Sequence, residues 1–422
     1  MSVFDIASTL WWNRAGPDVI AQRTAARLRR LVTYAGAKVP YYRELFSKAG
    51  ISPQDIQTPA DLVRIPITTR DDVQSRPFTD FLEEGGDHGA LRDFTTSGST
   101  GRPLIVRQCR DDQRINQALL FRTLWRYGMR PWHSKMSVAA SDPLPVDRSL
   151  LGKLGLFRRV WISARWPADR WVIELRKARP GVLFGYCLTW RLAARALRER
   201  GITDVRPQFV VTTSGVLDAA TREELETSFQ CPVRDVYASW EGGIMAWECA
   251  PCGGYHVNAD WVVLEVLKDG QPVQPGEEGE VVITNLHSMG MPFIRYRQGD
   301  LVATHPGSPS CGCSLPLIRR ISGRVADMII LPSGQQASPH AFIAVVDKVA
   351  GLKQWRLIQK GKARFRLEAV AGPDFGVESE EAIRKGLFNL VGRPVAVEIV
   401  RVESLPDNGS GKHRFVISEV SA

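Results

Sequence analysis

GVLFGYCLTWRLAARALRERGITDVRPQFVVTTSGVLDAATREELETSFQCPVRDVYASWEGG, residues 181–243, alternates three short apolar runs with two amphipathic ones. GVLFGYC, RPQFVVTTSG and PVRDVYASWEGG read as strands, whereas TWRLAARALRERG and LDAATREELETSFQ carry helical spacing. Strand, helix, strand in this order predicts a parallel sheet covered by helices.

Texture changes on either side. Upstream, residues 26–39 place Leu28, Leu31, Val32 and Ala35 on one helical face, and VPYYRELFSKAGI continues as a helix that Gly50 ends. Downstream, WVVLEVLKDGQPVQPGEEGEVVITNL predicts antiparallel strands joined by polar turns. A last α+β unit begins near Ile329: the helix SPHAFIAVVDKV, a hairpin turning at residues 360–362, the helix EEAIRKGLFNLVG and the strand PVAVEIVRVESL. The expected organisation is a large α/β domain over residues 1–325, with parallel and antiparallel parts, and a small α+β domain over residues 326–422.

Composition narrows the function. Among 422 residues, 44% are hydrophobic and 24% charged, which suits a folded chain and excludes wholesale disorder. Apolar runs all fall short of the roughly 20 residues that cross a bilayer. The start, MSVFDIASTLWWNRAG, lacks the basic region of a secretory signal, so a cytoplasmic protein with no membrane partner is expected. Lys and Arg exceed Asp and Glu by 55 to 45, which favours acidic partners such as nucleotides or coenzyme A. The excess is dispersed, with no basic tail, so nucleic acid is not expected.

FTTSGSTGRPL, residues 94–104, is the strongest local signal for chemistry. Its small residues allow tight turns in which successive backbone N–H groups converge on an anion, hydroxyls add donors, and Arg102 adds charge. The Walker A spacing is absent, and a flexible linker is the competing reading. Cys249 and Cys252 form one close pair and Cys311 and Cys313 another, with His256 nearby. Such spacing suits a structural zinc site closed by four thiolates, or by His256 in place of one.

Further segments follow in order: DVYASWEGG (235–243), RYRQGDL (295–301), ISGRVADMIIL (321–331) and LPDNGSGKHRFVIS (405–418). Together with the glycine-rich loop, they resemble the motifs of the adenylate-forming superfamily of acyl-CoA synthetases. The N-terminal helices and the cysteine/histidine cluster resemble its phenylacetate–coenzyme A ligase branch. PSGQQASP resembles the capsule-biosynthesis-type members of that branch.

The resemblance implies a set of roles. Thr96, Ser97, Gly98, Ser99, Thr100, Gly101 and Arg102 would hold the ATP phosphates, and Ser214 and Gly215 would line the adenine. Asp235 would meet the adenine amino group and Tyr237 would stack on the base. Asp300 would bind the ribose hydroxyls with Arg324 nearby, Glu241 would hold Mg²⁺, and Lys412, from a small mobile lid, would reach the carboxylate and α-phosphate. Phe184, Tyr186 and Trp240 are the expected acyl-pocket side chains. The implied reaction converts an aromatic acid to its acyl-adenylate and then to a coenzyme A thioester. An amine or an acyl carrier protein thiol is the alternative acceptor, and a silent nucleotide-binding homologue the alternative class. Trp240 stands where the superfamily offers a threonine hydroxyl, and Ala326 stands at the hinge position.

Overall fold

A computed structural model describes residues 15–96, 103–140, 144–215, 217–324, 328–337, 339–405 and 415–420. The chain divides into two compact units, residues 1–217 with 223–321, and residues 218–222 with 322–422.

The first unit is built on a twelve-stranded sheet. Its parallel half comprises Arg159–Ser163, Lys135–Ala139, Val182–Tyr186, Phe209–Thr213 and Val233–Ser239, in that spatial order. The helix Cys187–Glu199 covers this half because Trp190, Ala193, Ala194 and Leu197 recur at helical spacing and are buried. They pack with Leu183, Val210 and Phe229 in one apolar cluster. At Val233–Ser239 the sheet changes sense. Its other neighbour, Gly243–Cys249, is antiparallel, and antiparallel pairing continues through Gly254–Val257 to Leu317–Arg324. Tyr296–Thr304, Glu278–Asn285, Val262–Lys268 and Gln271–Pro272 complete the sheet. The expected mixture of parallel and antiparallel strands is therefore present.

Two N-terminal helices pack against the antiparallel half. The first spans Pro17–Lys38, starting upstream of the expected residue 26, with Pro17 in the first turn where its missing N–H costs nothing. The second spans Pro40–Ala49 and stops at Gly50, whose left-handed φ of 63° is cheap only without a Cβ.

A buried ion pair joins the helix Arg110–Arg126 to the antiparallel half. Arg122 and Asp260, each 1% exposed, bond through two parallel N–H···O contacts of 2.8 and 2.9 Å. Arg122 also donates to Asn258, and Arg27 donates to the Asp260 carbonyl while its guanidinium lies 3.3 Å from the centre of the Trp261 ring.

The second unit carries a four-stranded sheet in the order Ala396–Arg401, Arg364–Ala371, Leu352–Gly361, Val416–Ser418. The central pair is the expected hairpin and both outer strands join it in parallel. Phe342 from the helix Pro339–Val346, and Ile383 and Leu387 from the helix Val377–Val391, pack with Trp355 and Phe365.

Asp260→Ala leaves the Arg122 guanidinium buried without its counter-ion. A loss of about 3–5 kcal/mol is expected in denaturant unfolding. An unchanged unfolding midpoint would show that the pair does not hold the helix to the antiparallel half.

Candidate active site and metal centre

Thr96 closes the neck of the glycine-rich loop. The strands Arg92–Thr95 and Ile105–Gln108 pair antiparallel, the Thr96 N–H donates to the Leu104 carbonyl at 2.9 Å, and the Thr96 hydroxyl accepts from the Leu104 N–H at 3.0 Å. Arg70 adds a 3.3 Å bond to the same hydroxyl. Ser97, Gly98, Ser99, Thr100, Gly101 and Arg102 lie outside the described residues, as does Lys412.

The other motif residues collect around the carboxyl ends of the parallel strands, where open α/β sheets bind ligands. Ser214 follows Phe209–Thr213 with φ of 63°, a left-handed conformation that turns the chain sharply out of the sheet. Strand alternation puts Asp235 and Tyr237 on one face of Val233–Ser239. The Asp235 carboxylate accepts from the Thr212 hydroxyl at 2.7 Å and from the Tyr255 phenol at 3.1 Å. Its backbone N–H donates to Glu248 at 2.9 Å. Burial pushes Asp235 up to about 6, aided by the Glu248 charge and opposed by the two hydroxyl donors.

Two further bonds span the concave face. Tyr237 donates to Asp300 at 2.7 Å, and Ser239 donates to Gln298 at 3.3 Å. Asp300 and Gln298 are two residues apart on Tyr296–Thr304, matching the spacing of Tyr237 and Ser239. Three strands separate these partners in the sheet order, so the antiparallel half curls to bring them together.

Trp240 is 40% exposed and stacks on Phe94, with ring centroids 4.3 Å apart and planes at 23°. Its carbonyl accepts from Gln108 at 3.2 Å, so both contacts tie Trp240 to the hairpin that carries the glycine-rich loop. Glu241 is buried, and its carbonyl accepts from Asn285 at 2.8 Å. Tyr186 ends Val182–Tyr186 opposite Thr213, and burial raises its phenol pKa. Phe184 instead packs on the cluster of Phe209, Val211 and Trp247, with the Lys135 ammonium 5.4 Å from its ring centre. Gly215 follows Ser214 in the first unit, whereas Arg324 ends the strand Leu317–Arg324 in the second. A cavity of about 680 Å³, lined by Arg27, Tyr34, Ile115, Trp261 and His287 among others, is bordered by none of these motif residues. Thr212 and Tyr255 went unread in the sequence because they lie outside the motifs, and Phe94 and Gln298 lie within motifs but had no role assigned to them.

Cys249, Cys252, His256 and Cys311 have ligand atoms within 4.8 Å of one another. The turn Ala250–Cys252 and the left-handed Gly253 fold the first pair back onto the strand Gly254–Val257, which carries His256. His256 Nδ1 lies 2.8 Å from the Leu315 carbonyl, a contact that needs the ring's proton on Nδ1. Nε2 then faces the Cys311 sulfur at 3.1 Å as an unprotonated donor. This donor set fits zinc. Cys313, the fifth expected ligand, stays outside the group: it is buried in the apolar cluster with Leu315 and Trp247.

About one zinc per chain is therefore expected. Cys311→Ser should release it and lower the melting temperature, whereas Cys313→Ser should retain it. Equal zinc loss in both variants would overturn the three-cysteine, one-histidine set. A second expectation concerns Asp235. Its folded-state pKa lies above the ordinary carboxylate value, so its contribution to stability is full below about pH 4 and is lost as pH rises through 6. Asp235→Asn should gain on the parent by up to about 3 kcal/mol between about pH 4 and pH 7. Parallel pH profiles for the two proteins would exclude this.

No family model matches the chain. The phenylacetate-coenzyme A ligase of Thermus thermophilus is 27% identical over 314 residues, covering 72% of this chain and 70% of that protein. Protein CapK of Staphylococcus aureus is 25% identical over 418 residues, covering 93% and 88%. Among solved structures, 2-hydroxyisobutyryl-CoA ligase in its postadenylation state superposes with a TM-score of 0.79 at 21% identity, over 96% of this chain and 91% of that one. The chain is thus similar in sequence to the phenylacetate-coenzyme A ligases and shares the fold of 2-hydroxyisobutyryl-CoA ligase.

Proposed function

We propose that this protein is an AMP-forming acid–coenzyme A ligase. A carboxylate oxygen attacks the ATP α-phosphorus and pyrophosphate leaves; the coenzyme A thiol then attacks the acyl carbonyl and AMP leaves. The observation that supports this best is the gathering of Asp235, Tyr237 and Asp300 at the carboxyl ends of the parallel strands, in a relative of the phenylacetate-coenzyme A ligases.

On this reading, backbone N–H groups of residues 97–102 and the Arg102 guanidinium hold the β- and γ-phosphates. Ser214 and Gly215 run along the adenine, Asp235 meets its amino group, and Tyr237 stacks on it. The Tyr237–Asp300 bond fixes the carboxylate that takes the ribose hydroxyls, with Arg324 assisting. Glu241 holds Mg²⁺, which when bound offsets phosphate charge as pyrophosphate leaves. Lys412 is brought by the small domain acting as a lid, and its ammonium lowers the repulsion between carboxylate and α-phosphate. Tyr186 and the flat face of Trp240 bound the acid, which favours a planar aromatic one. Cys249, Cys252, His256 and Cys311 would hold a structural zinc, which would link the end of Gly243–Cys249 to the segment after Tyr296–Thr304, the strand that carries Asp300.

ATP–pyrophosphate exchange across a panel of aromatic and aliphatic acids, followed by mass spectrometry with coenzyme A supplied, is the test. Exchange with an aromatic acid and formation of its thioester are expected. Lys412→Ala should slow exchange by about 10²–10³-fold while retaining ATP binding. Absence of exchange with every acid would overturn the proposal, and an adenylate captured only by amines or a carrier protein would reassign the acceptor.

A further inference from the structure

The loop between the strands Lys135–Ala139 and Arg159–Ser163 holds apolar side chains in water. Val146 and Leu150 are each 72% exposed, Leu154 67%, and Trp132, just before the first of these strands, 70%. Leu151 and Leu156 add to the same exposed segment.

This exposure is built into a fixed turn. The Ser149 hydroxyl accepts from the Gly152 N–H at 3.0 Å, and the N–H groups of Leu154 and Leu156 donate back to the carbonyls of Leu150 and Leu151 at 3.1 and 2.8 Å. Gly155 takes a φ of 78° to make the reversal. Phe157 then anchors the loop inward, edge-on to Phe121 at 5.3 Å, and its N–H donates to Pro131, beside Trp132. Leucines at such a turn remain outside because the backbone bonds hold them there.

The exposed charges of residues 144–159 are basic. Asp147 is the only acid in residues 144–159, and its carboxylate is taken up by the Ser149 hydroxyl at 2.7 Å and by Arg159 at 3.1 Å. Arg148, Lys153 and Arg158 are exposed and have no ion pair among the described residues.

We propose that this face binds the surface of an anionic phospholipid bilayer. Leu150, Leu154 and Trp132 enter the boundary between headgroups and acyl chains, and Arg148, Lys153 and Arg158 meet lipid phosphates. A second copy fits less well, since a two-fold pairing of this face sets cations against cations. None of the helices among the described residues is long and apolar enough to span a membrane, so the attachment proposed is to the surface. Lys135 pairs with Arg159 at the amino ends of their strands, opposite the ends that carry Tyr186 and Ser214. Attachment here leaves the candidate active site facing water, and the inference rests on no part of the acid-activation reading.

Sedimentation with vesicles of phosphatidylcholine alone, or of phosphatidylcholine with phosphatidylglycerol, tests this with the full chain. Co-sedimentation with the anionic vesicles only, released by high salt, is expected. The double variant Leu150→Ser, Leu154→Ser should partition at least about tenfold less while keeping its circular dichroism spectrum. No binding to anionic vesicles, or equal binding by the variant, would overturn the proposal. So would a dimer in sedimentation velocity that the double variant dissociates, or capture of an acidic carrier protein without vesicle binding; either would assign the face to a protein.

Discussion

The strand Val233–Ser239 has to satisfy two neighbours of opposite sense, parallel Phe209–Thr213 and antiparallel Gly243–Cys249. Each backbone N–H and C=O along it therefore serves one sheet or the other, and both halves depend on its register. A one-residue slip would exchange Asp235 and Tyr237 for Val236 and Ala238 on the site-facing side. Thr212 and Asp300 would lose their partners together. The side-chain bonds to Asp235 and Tyr237 thus report the register of the whole sheet.

That placement has an electrostatic cost. Asp235 is buried beside Glu248, and two hydroxyl donors offset only part of the desolvation, so its pKa rises. Asp260 meets a similar burial differently, with a bidentate guanidinium. The contrast fits their positions. Asp260 is a joint inside the first unit, where full pairing suits a fixed structure. Asp235 stands near the carboxyl ends of the parallel strands and is held instead by neutral donors, the Thr212 and Tyr255 hydroxyls among them.

The cysteine/histidine knuckle and the leucine turn follow a common logic. Both are short reversals closed by a left-handed glycine, Gly253 in one and Gly155 in the other. In the knuckle the reversal turns side chains inward, so thiols and imidazole converge. In the leucine turn it leaves them outward, beside the exposed Arg148, Lys153 and Arg158. The chain uses one backbone device for an internal site and for an external face.

Much of this was legible in the sequence because the signals are local. Apolar periodicity over residues 181–243 carries the parallel half, Gly50 marks a helix end, and the hairpin near residues 360–362 is written in alternation and turn residues. The ordered motifs and the cysteine spacing mark the candidate site through residues that sit close together in the chain. What only the tertiary structure decided involves partners far apart in sequence. Tyr237 and Asp300 meet because the sheet curls, and His256 joins Cys311, 55 residues away in sequence, while Cys313 is buried among apolar side chains. Trp240 lies on Phe94 because a hairpin more than a hundred residues upstream packs beside it. No local pattern encodes such pairings, since they depend on sheet order and curvature, which are properties of the assembled core.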